Sequence, residues 1–291
     1  MPEPSRRIAL VQQRASDDPE RNLERAEQAI RAAAVRGAEL VCLQELFRTP
    51  YFPQTHDRRA FELAEKIPGP TSEQMAGLAR ELALVLILPL FERRAAGVYH
   101  NSALVLDRDG SVAGLYRKMH IPDDPGFHEK FYFSPGDRGF RAIDTAVGRI
   151  GVLICWDQWF PEAARLLALD GATLLFFPTA IAWPEGEDPE ERRGDRESWL
   201  TVQRGHAVAN SIFVAACNRV GREKDLEFWG SSFVCDPRGR VMEQAPPDEE
   251  SLLVVDCPIA LIEAQRRTWP FLRDRRVDAY DDLLKRFRSQ P

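Results

Sequence analysis

The sequence lacks the features that mark membrane-spanning and nucleic-acid-binding proteins. No apolar run approaches the roughly 18 residues that cross a bilayer. The formal net charge is −6 and basic residues form no cluster along one long face, which argues against nucleic acid or an anionic membrane as a partner. The opening segment, MPEPSRRIALVQQ, goes straight into a strand pattern without the apolar core of a signal peptide. We therefore expect a cytoplasmic protein.

Cysteine is scarce and scattered: there are five in 291 residues, at 42, 155, 217, 235 and 257. Their odd number and the absence of a Cys-x-x-Cys or Cys/His spacing argue against a disulfide framework and a zinc site. His120 and His128 have no third candidate ligand at short spacing, so we expect no metal. No serine has the surroundings of a usual nucleophile. The cysteines are expected to be reduced thiols.

Strand-like and helical patterns alternate along the chain, with hairpins between some strands. This order predicts a single α/β domain over 1–291 with mixed sheets covered by helices. Asp18 should cap one helix, and a hairpin should turn at Asp109–Gly110. The charged segment 184–197 is interpreted as a solvated loop. Helices are predicted over 19–36, 57–67, 71–83, 161–172 and 198–209, and strands over 7–12, 38–46, 84–93, 139–155 (paired) and 172–180.

Four polar side chains lie at the ends of strand-like runs or in the loops that follow: Glu45, Lys118, Glu129 and Cys155. Taken singly, the charged residues could be solvated and Cys155 could be a core residue. Taken together they form a set suited to acyl transfer. A carboxylate can accept a thiol proton, and an ammonium favours the thiolate and stabilises the oxyanion formed when a carbonyl is attacked.

The segments around these four residues resemble the carbon–nitrogen hydrolase (nitrilase) superfamily in type and order. They are QELF at Glu45, YRKMHIP at Lys118, HEKFYFSPGD at Glu129 and GVLICWDQWFPE at Cys155. The resemblance extends to about residue 272. Within the superfamily, IPDDPGFHEKFYFSPGD and CWDQWFPE most resemble N-carbamoylputrescine amidases, which implies cleavage of a ureido C–N bond to putrescine, carbon dioxide and ammonia.

The resemblance implies a four-layer αββα sandwich and a role for each of the four residues. Cys155 would be the nucleophile, Glu45 the general base and Lys118 the oxyanion-stabilising lysine, with Glu129 as a second, positioning glutamate. The N–H of Trp156 would also face the oxyanion. No cofactor is implied. A homo-oligomer, dimeric or larger, is expected, and residues from about 265 to 291 would form a C-terminal extension used in its contacts.

The sequence gives weaker evidence for the residues that bind the distal end of the substrate. An ammonium end would be received by acidic or aromatic groups, for which Tyr51, Trp156, Asp157 and Trp183 are the main candidates. Asp123 and Glu187 are secondary candidates. The resemblance to the amidases breaks down at several loop positions that are expected to line the pocket, namely Pro53, Asp124, Phe127 and His128.

Two alternatives remain open at this point. An arginine-lined pocket would favour N-carbamoyl amino acids, β-ureidopropionate or an ω-amide; the available arginines are Arg48, Arg192, Arg193 and Arg196. In a different class, the chain could be a non-catalytic binding or assembly protein on the same fold.

Overall fold

The computed structural model describes residues 5–288, in which two six-stranded sheets are the main elements. The ends of the predicted domain, 1–4 and 289–291, lie outside the described residues. The first sheet has the order β15-β1-β2-β3-β4-β5. Its strands are β1 Ser5–Gln12, β2 Leu40–Leu43, β3 Val85–Ala95, β4 Val98–Leu106, β5 Val112–Arg117 and β15 Ser251–Pro258.

The second sheet has the order β14-β13-β10-β8-β7-β6. Its strands are β6 Ile143–Thr145, β7 Gly148–Val152, β8 Leu174–Thr179, β10 Phe213–Asn218, β13 Phe233–Cys235 and β14 Val241–Gln244. A third, small sheet consists of β9 Ala182–Pro184, β11 Val220–Glu223 and β12 Leu226–Trp229, in the order β11-β12-β9. Both large sheets are mixed, as the sequence predicted.

Helices cover the outer faces of the two large sheets. They are α1 Pro19–Val35, α2 Pro70–Leu82, α3 Pro161–Leu169 and α4 Pro189–Asn210; a fifth helix, α5 Ala260–Thr268, follows β15. Side chains alternate along β1: Ile8 and Leu10 belong to the core between the sheets, whereas Ala9 and Val11 pack with α1 and α2. α3 and α4 pack on the second sheet. The αββα sandwich is confirmed.

Local signals set several element boundaries. Asp18 accepts hydrogen bonds from the backbone N–H groups of Glu20 and Arg21 and caps α1 as predicted. The helix predicted over 57–67 is wrong, since that region holds only a 3-10 turn at Arg58–Leu63. None of the described helices is both apolar enough and long enough to span a bilayer.

The interpretation of 184–197 as a solvated loop is wrong. α4 begins at Pro189, where Asp188 accepts the N–H of Glu190, so the charged run forms the first turns of a long helix. Asp-Pro-Glu is a helix-start signal, with an N-cap, a proline and an acidic first turn. The buried side chains of the helix, beginning with Trp199, appear only later, so the apolar pattern gave no sign of this start.

Candidate active site

Both large sheets contribute side chains to one buried cluster. Glu45 follows β2 and Lys118 follows β5 in the first sheet, whereas Cys155 follows β7 in the second. Lys118 Nζ donates to Glu45 Oε1 at 2.8 Å and to both oxygens of Glu129, at 2.9 and 2.7 Å. All three of these charged side chains have 0 % exposure. The structure thus brings the predicted residues together, although their catalytic roles stay predictions.

Charge balance explains why Lys118 can be buried. Burial alone would lower its pKa, but Glu129, Glu45 and Cys155 raise that pKa above its ordinary value. The side chain of Lys118 is therefore an ammonium ion throughout the physiological pH range. It supplies a fixed positive charge beside Cys155.

The two oxygens of Glu45 have different surroundings. Oε1 accepts from Lys118 and from Asn101 Nδ2, the latter at 2.7 Å. Oε2 is buried without a hydrogen-bond partner among residues 5–288. A buried carboxylate oxygen without a donor is available to accept a proton. Asn101, on β4, was missed by the sequence reasoning because an asparagine in a strand gives no signal of its partner.

Cys155 does not lie in a strand, which corrects the prediction of paired strands through 139–155. β7 ends at Val152, and Cys155 begins a 3-10 turn, Cys155–Trp159, with a left-handed φ of 45°. A non-glycine residue in this region costs free energy and is held there by its surroundings. The turn leaves the thiol at the wall of a cavity, with the residue 6 % exposed.

The thiol of Cys155 is neutral at rest. Burial and the negative charge of Glu45 raise its pKa well above its ordinary value, and Lys118 acts in the opposite direction. Ionisation of the thiol therefore requires transfer of its proton to a nearby base.

Tyr51 contacts the cluster and is not among the residues that line the cavity, so its assignment to substrate binding has no support here and stays a prediction. It is 1 % exposed, and its hydroxyl donates to Glu129 Oε1 at 2.7 Å. Burial raises the pKa of Glu129 to about 7, against the lowering effect of Lys118 and of the Tyr51 hydrogen bond. Tyr51 thus supports the ionised form of Glu129.

Asp157 is also turned into the protein, so its predicted contact with substrate is not supported. It is fully buried. Oδ2 accepts from Ile154 N–H and the Tyr116 hydroxyl, and Oδ1 accepts from the backbone N–H of His120 and contacts the His120 ring. These bonds tie the turn that carries Cys155 to the segment after Lys118. The carboxylate has no oxygen left for a ligand.

The two candidate tryptophans differ in position. Trp156 lines the cavity beside Cys155. Trp183 lies behind the wall, packed against Trp229 with ring centroids 4.7 Å apart and covered by the Arg192 guanidinium at 5.1 Å. Trp183 therefore shapes the cavity through its neighbours, and the prediction that it contacts substrate is not supported.

The cavity has a volume of about 500 Å³, and Cys155 is one of the residues that line it. Its wall carries three further carboxylates, those of Asp124, Glu187 and Asp195, which form no ion pair within residues 5–288. Burial and the charge of Glu187 raise the pKa of Asp195. No lysine or arginine is among the lining residues. The remaining wall is mostly apolar and aromatic, with Phe127, Trp156, Trp159 and Trp229 as its rings.

The four candidate arginines lie elsewhere. Arg48 pairs with Glu20 and Glu65, and Arg192 pairs with Glu227. Arg193 and Arg196 line a separate depression. Asp123 lies outside the cavity wall, near His128. Over the described part of the chain, no group of three histidine, cysteine or acidic side chains is placed to hold a metal.

Known proteins resemble this chain over nearly its whole length. The carbon–nitrogen hydrolase family model matches residues 7–267. An N-carbamoylputrescine amidase of Solanum lycopersicum is 42% identical over 98% of this chain and 96% of its own. A citrullinase of Francisella tularensis is 39% identical over 97% of this chain and 99% of its own.

A solved structure agrees with this assignment. The carbon–nitrogen hydrolase from Helicobacter pylori G27 superimposes with a TM-score of 0.94 at 44% identity, covering 97% of this chain and 99% of that one. The agreement includes both sequence and fold. The chain therefore belongs to the carbon–nitrogen hydrolase family.

Proposed function

We propose that this hydrolase cleaves the ureido C–N bond of N-carbamoylputrescine, releasing putrescine, carbon dioxide and ammonia, as a step in polyamine biosynthesis. The observation that carries the proposal is the cavity itself. Its wall carries both a thiol and carboxylates that form no ion pair within residues 5–288, in a chain that is 42% identical to an N-carbamoylputrescine amidase. The thiol suits the ureido carbon, and the carboxylates suit the distal ammonium of this substrate.

The charge of the wall favours a cationic substrate. The pKa of Asp195 is raised by its partial burial and by the negative charge of Glu187, so these two carboxylates repel each other. An ammonium placed among Asp124, Glu187 and Asp195 would relieve the repulsion. A substrate carboxylate would add to it. Trp156 and the other rings could contact the methylene chain of the substrate.

The first half of the reaction forms a covalent intermediate. Glu45 Oε2 accepts the proton of the Cys155 thiol, and the sulfur attacks the ureido carbon. Lys118 and the Trp156 N–H stabilise the oxyanion; loss of one such donor typically costs about 10²–10³ in rate. The tetrahedral species collapses as the C–N bond breaks, and the leaving nitrogen takes the proton from Glu45, giving a carbamoyl thioester and an amine or ammonia.

The second half consumes one water molecule. Glu45 accepts a proton from the water, whose oxygen attacks the thioester carbon, and the C–S bond breaks. The thiol regains its proton from Glu45. The released carbamic acid then separates into carbon dioxide and the remaining amine or ammonia. The sum is one ureido substrate and one water giving putrescine, carbon dioxide and ammonia.

A substrate panel tests the proposal. Ammonia release would be measured with N-carbamoylputrescine, citrulline, N-carbamoyl amino acids, β-ureidopropionate, an ω-amide and a simple nitrile, with Cys155→Ala as the control. We expect the highest kcat/KM for N-carbamoylputrescine and no turnover by the control. Higher kcat/KM for a carboxylate-bearing substrate would reject the polyamine assignment. A Cys155 that reacts with iodoacetamide no faster than the other thiols would favour a non-catalytic protein.

A citrulline-like substrate is the second candidate, because one relative of similar identity is named a citrullinase. Citrulline has a ureido group and an ammonium, but also a carboxylate. The cavity wall offers no lysine or arginine for that carboxylate. Asp195→Asn tests the contact proposed for the ammonium: it should raise KM for N-carbamoylputrescine about tenfold, which corresponds to about 1.4 kcal/mol. Glu190→Gln, on the exposed start of the same helix, is the matched control.

We further propose a homo-oligomer in the cytoplasm. Leu166 and Leu169 on α3 are 47% and 48% exposed, and Leu284 and Phe287 near the C-terminus are 95% and 79% exposed. Such apolar side chains favour a contact surface, in which residues from about 265 onward would take part. The five cysteines are unpaired, as suits a reducing compartment. Light scattering of the wild type and of Leu166→Glu would test the assembly, and a monomeric wild type would reject it.

A further inference from the structure

We propose that the buried ion pair of Arg219 and Glu223, which does not reach the cavity, is a positioning device that sets both glutamates of the active site. The proposal rests on the roles given above to Glu45 and Glu129. Arg219 follows β10 and Glu223 ends β11, so both come from the half of the fold that does not carry these glutamates.

Arg219 holds the loop that begins at Glu45. The arginine is fully buried. Its Nη2 donates to the carbonyl oxygens of Glu45 and Leu46, at 3.0 and 2.8 Å, and its Nη1 donates to that of Thr49 at 3.0 Å. Leu46 has a left-handed φ of 50°. Three bonds from one rigid guanidinium thus fix the sharp turn immediately after the general base.

Glu223 connects the same arginine to the second glutamate. Its Oε1 accepts from Arg219 Nη1 at 2.7 Å, and its Oε2 accepts from the backbone N–H of Tyr51 at 2.6 Å. The Tyr51 hydroxyl in turn donates to Glu129 Oε1. A continuous series of bonds therefore runs from Arg219 through Glu223 and Tyr51 to the carboxylate that holds Lys118.

Aromatic packing restricts the conformations that the Arg219–Glu223 pair can adopt. The Arg219 guanidinium lies 5.4 Å from the ring centroid of Phe228, and the same ring meets the edge of Tyr51 at 5.7 Å. The neighbours of Arg219 are therefore the loop carbonyls, Glu223 and an aromatic ring. Because a buried arginine must keep its partners, the loop has little freedom to move away from it.

This connection matters because the base and the nucleophile come from different sheets. Glu45 follows β2 in the first sheet and Cys155 follows β7 in the second, so their separation depends on how the sheets are held together. Arg219 extends from the second sheet to the loop that follows β2. A displacement of about 1 Å at a reacting group can cost roughly 10² in rate, even when the change that causes it is distant.

The test uses two conservative variants and their combination. Arg219→Lys keeps the charge and loses the planar fork, and Glu223→Gln keeps the shape and loses the charge. Each should lower kcat for N-carbamoylputrescine roughly 10²-fold while KM changes less than about threefold. Alkylation of Cys155 by iodoacetamide should slow in parallel, because it needs Glu45 but no substrate contact. The double variant should be about as slow as the worse single variant.

Ile30→Ala is the control for lost stability alone. Ile30 is buried in α1, between that helix and the outer face of the first sheet. Its replacement should lower the midpoint of urea unfolding while kcat at 25 °C stays near wild type. The proposal is wrong if Arg219→Lys and Glu223→Gln also lower only that midpoint. It is also wrong if the loss of kcat in the double variant is the product of the losses in the two single variants. If Arg219→Lys does not fold, Glu223→Gln alone decides by the same kcat and alkylation readouts.

The outcome can be separated from failure of the proposed function. If Cys155→Ala retains turnover, or if N-carbamoylputrescine is not a substrate, the proposed function fails whatever the pair variants do. The alkylation rate still tests the positioning role in that case, because it needs no substrate. A slow alkylation in Arg219→Lys and Glu223→Gln supports the positioning role, and a wild-type rate in both rejects it.

Discussion

Replacement of Tyr51 by phenylalanine should shift the pH dependence of turnover and leave substrate binding nearly unchanged. The change removes only the hydroxyl that donates to Glu129 Oε1 at 2.7 Å. Both oxygens of Glu129 also accept from Lys118. Protonation of Glu129 would place a hydrogen against these donors and disturb the lysine, so the active form is the one with Glu129 ionised. The wild type should lose activity as the pH falls through about 7, the pKa of this carboxyl group.

The size of the shift follows from the lost hydrogen bond. A hydrogen bond to a charged group is worth about 1.5–3 kcal/mol, and one pKa unit corresponds to about 1.4 kcal/mol. Loss of the bond destabilises the ionised form, so the pKa of Glu129 should rise by about one to two units, to roughly 8–9. At pH 7 the ionised fraction would fall from about one half to between about one tenth and one hundredth. We expect kcat/KM at pH 7 to fall about 5- to 50-fold and to recover as the pH rises above 9.

The assay is ammonia release at low substrate concentration between pH 5.5 and 10, which gives kcat/KM at each pH. Tyr132→Phe is the matched control. Tyr132 is also buried, but its hydroxyl bonds to the backbone of Thr55 and Asp57 and not to Glu129. The control should keep the wild-type acid limb. A Tyr51→Phe enzyme with a raised KM and an unshifted acid limb would refute this reasoning and return Tyr51 to the substrate site.

Three further changes have defined outcomes. Asn101→Ala removes a donor to Glu45 Oε1, so kcat should fall roughly tenfold with KM little changed in steady-state assays; an unchanged kcat would contradict this. Asp157→Asn places an amide NH₂ against N–H donors and should lower the free energy of unfolding in urea by about 1–3 kcal/mol. Trp199→Phe removes the 2.8 Å bond to Gln158 Oε1 in the Cys155 turn; we expect a loss of about 1 kcal/mol by the same measurement, and no loss would show that the bond contributes nothing.

The four central residues were identifiable from the sequence because each lies in a short segment that resembles the carbon–nitrogen hydrolase superfamily. The alternation of patterns predicted mixed sheets covered by helices, whereas the four-layer order came from the resemblance; Asp18 was identifiable as a cap from its neighbours. These features depend on residues close together in the chain. The start of α4 was missed although its signal, Asp188 and Pro189, is also local, because the charged run after it was given more weight than the cap.

Partners that are distant in the chain could not be predicted. Asn101 and Glu45 are 56 residues apart, and Tyr51 and Glu129 are 78 apart. Residue type suggested that Tyr51 and Asp157 could contact a ligand, but it did not reveal which way each side chain points. A left-handed turn at Cys155 also carries no signal in a non-glycine residue. Orientation depends on the register between the two sheets, which periodicity does not supply.

The division of the site between two sheets explains why so many buried polar groups surround it. Cys217 of β10 directs its thiol to the carbonyl oxygens of Val11 and Cys42, at 3.2 and 3.4 Å, and Arg219 reaches the loop after β2. Apolar packing between sheets tolerates small sliding, because dispersion contacts have little directionality. Hydrogen bonds do not, since they weaken steeply with distance and angle. These polar contacts therefore restrict sliding between the two sheets more than apolar packing alone would.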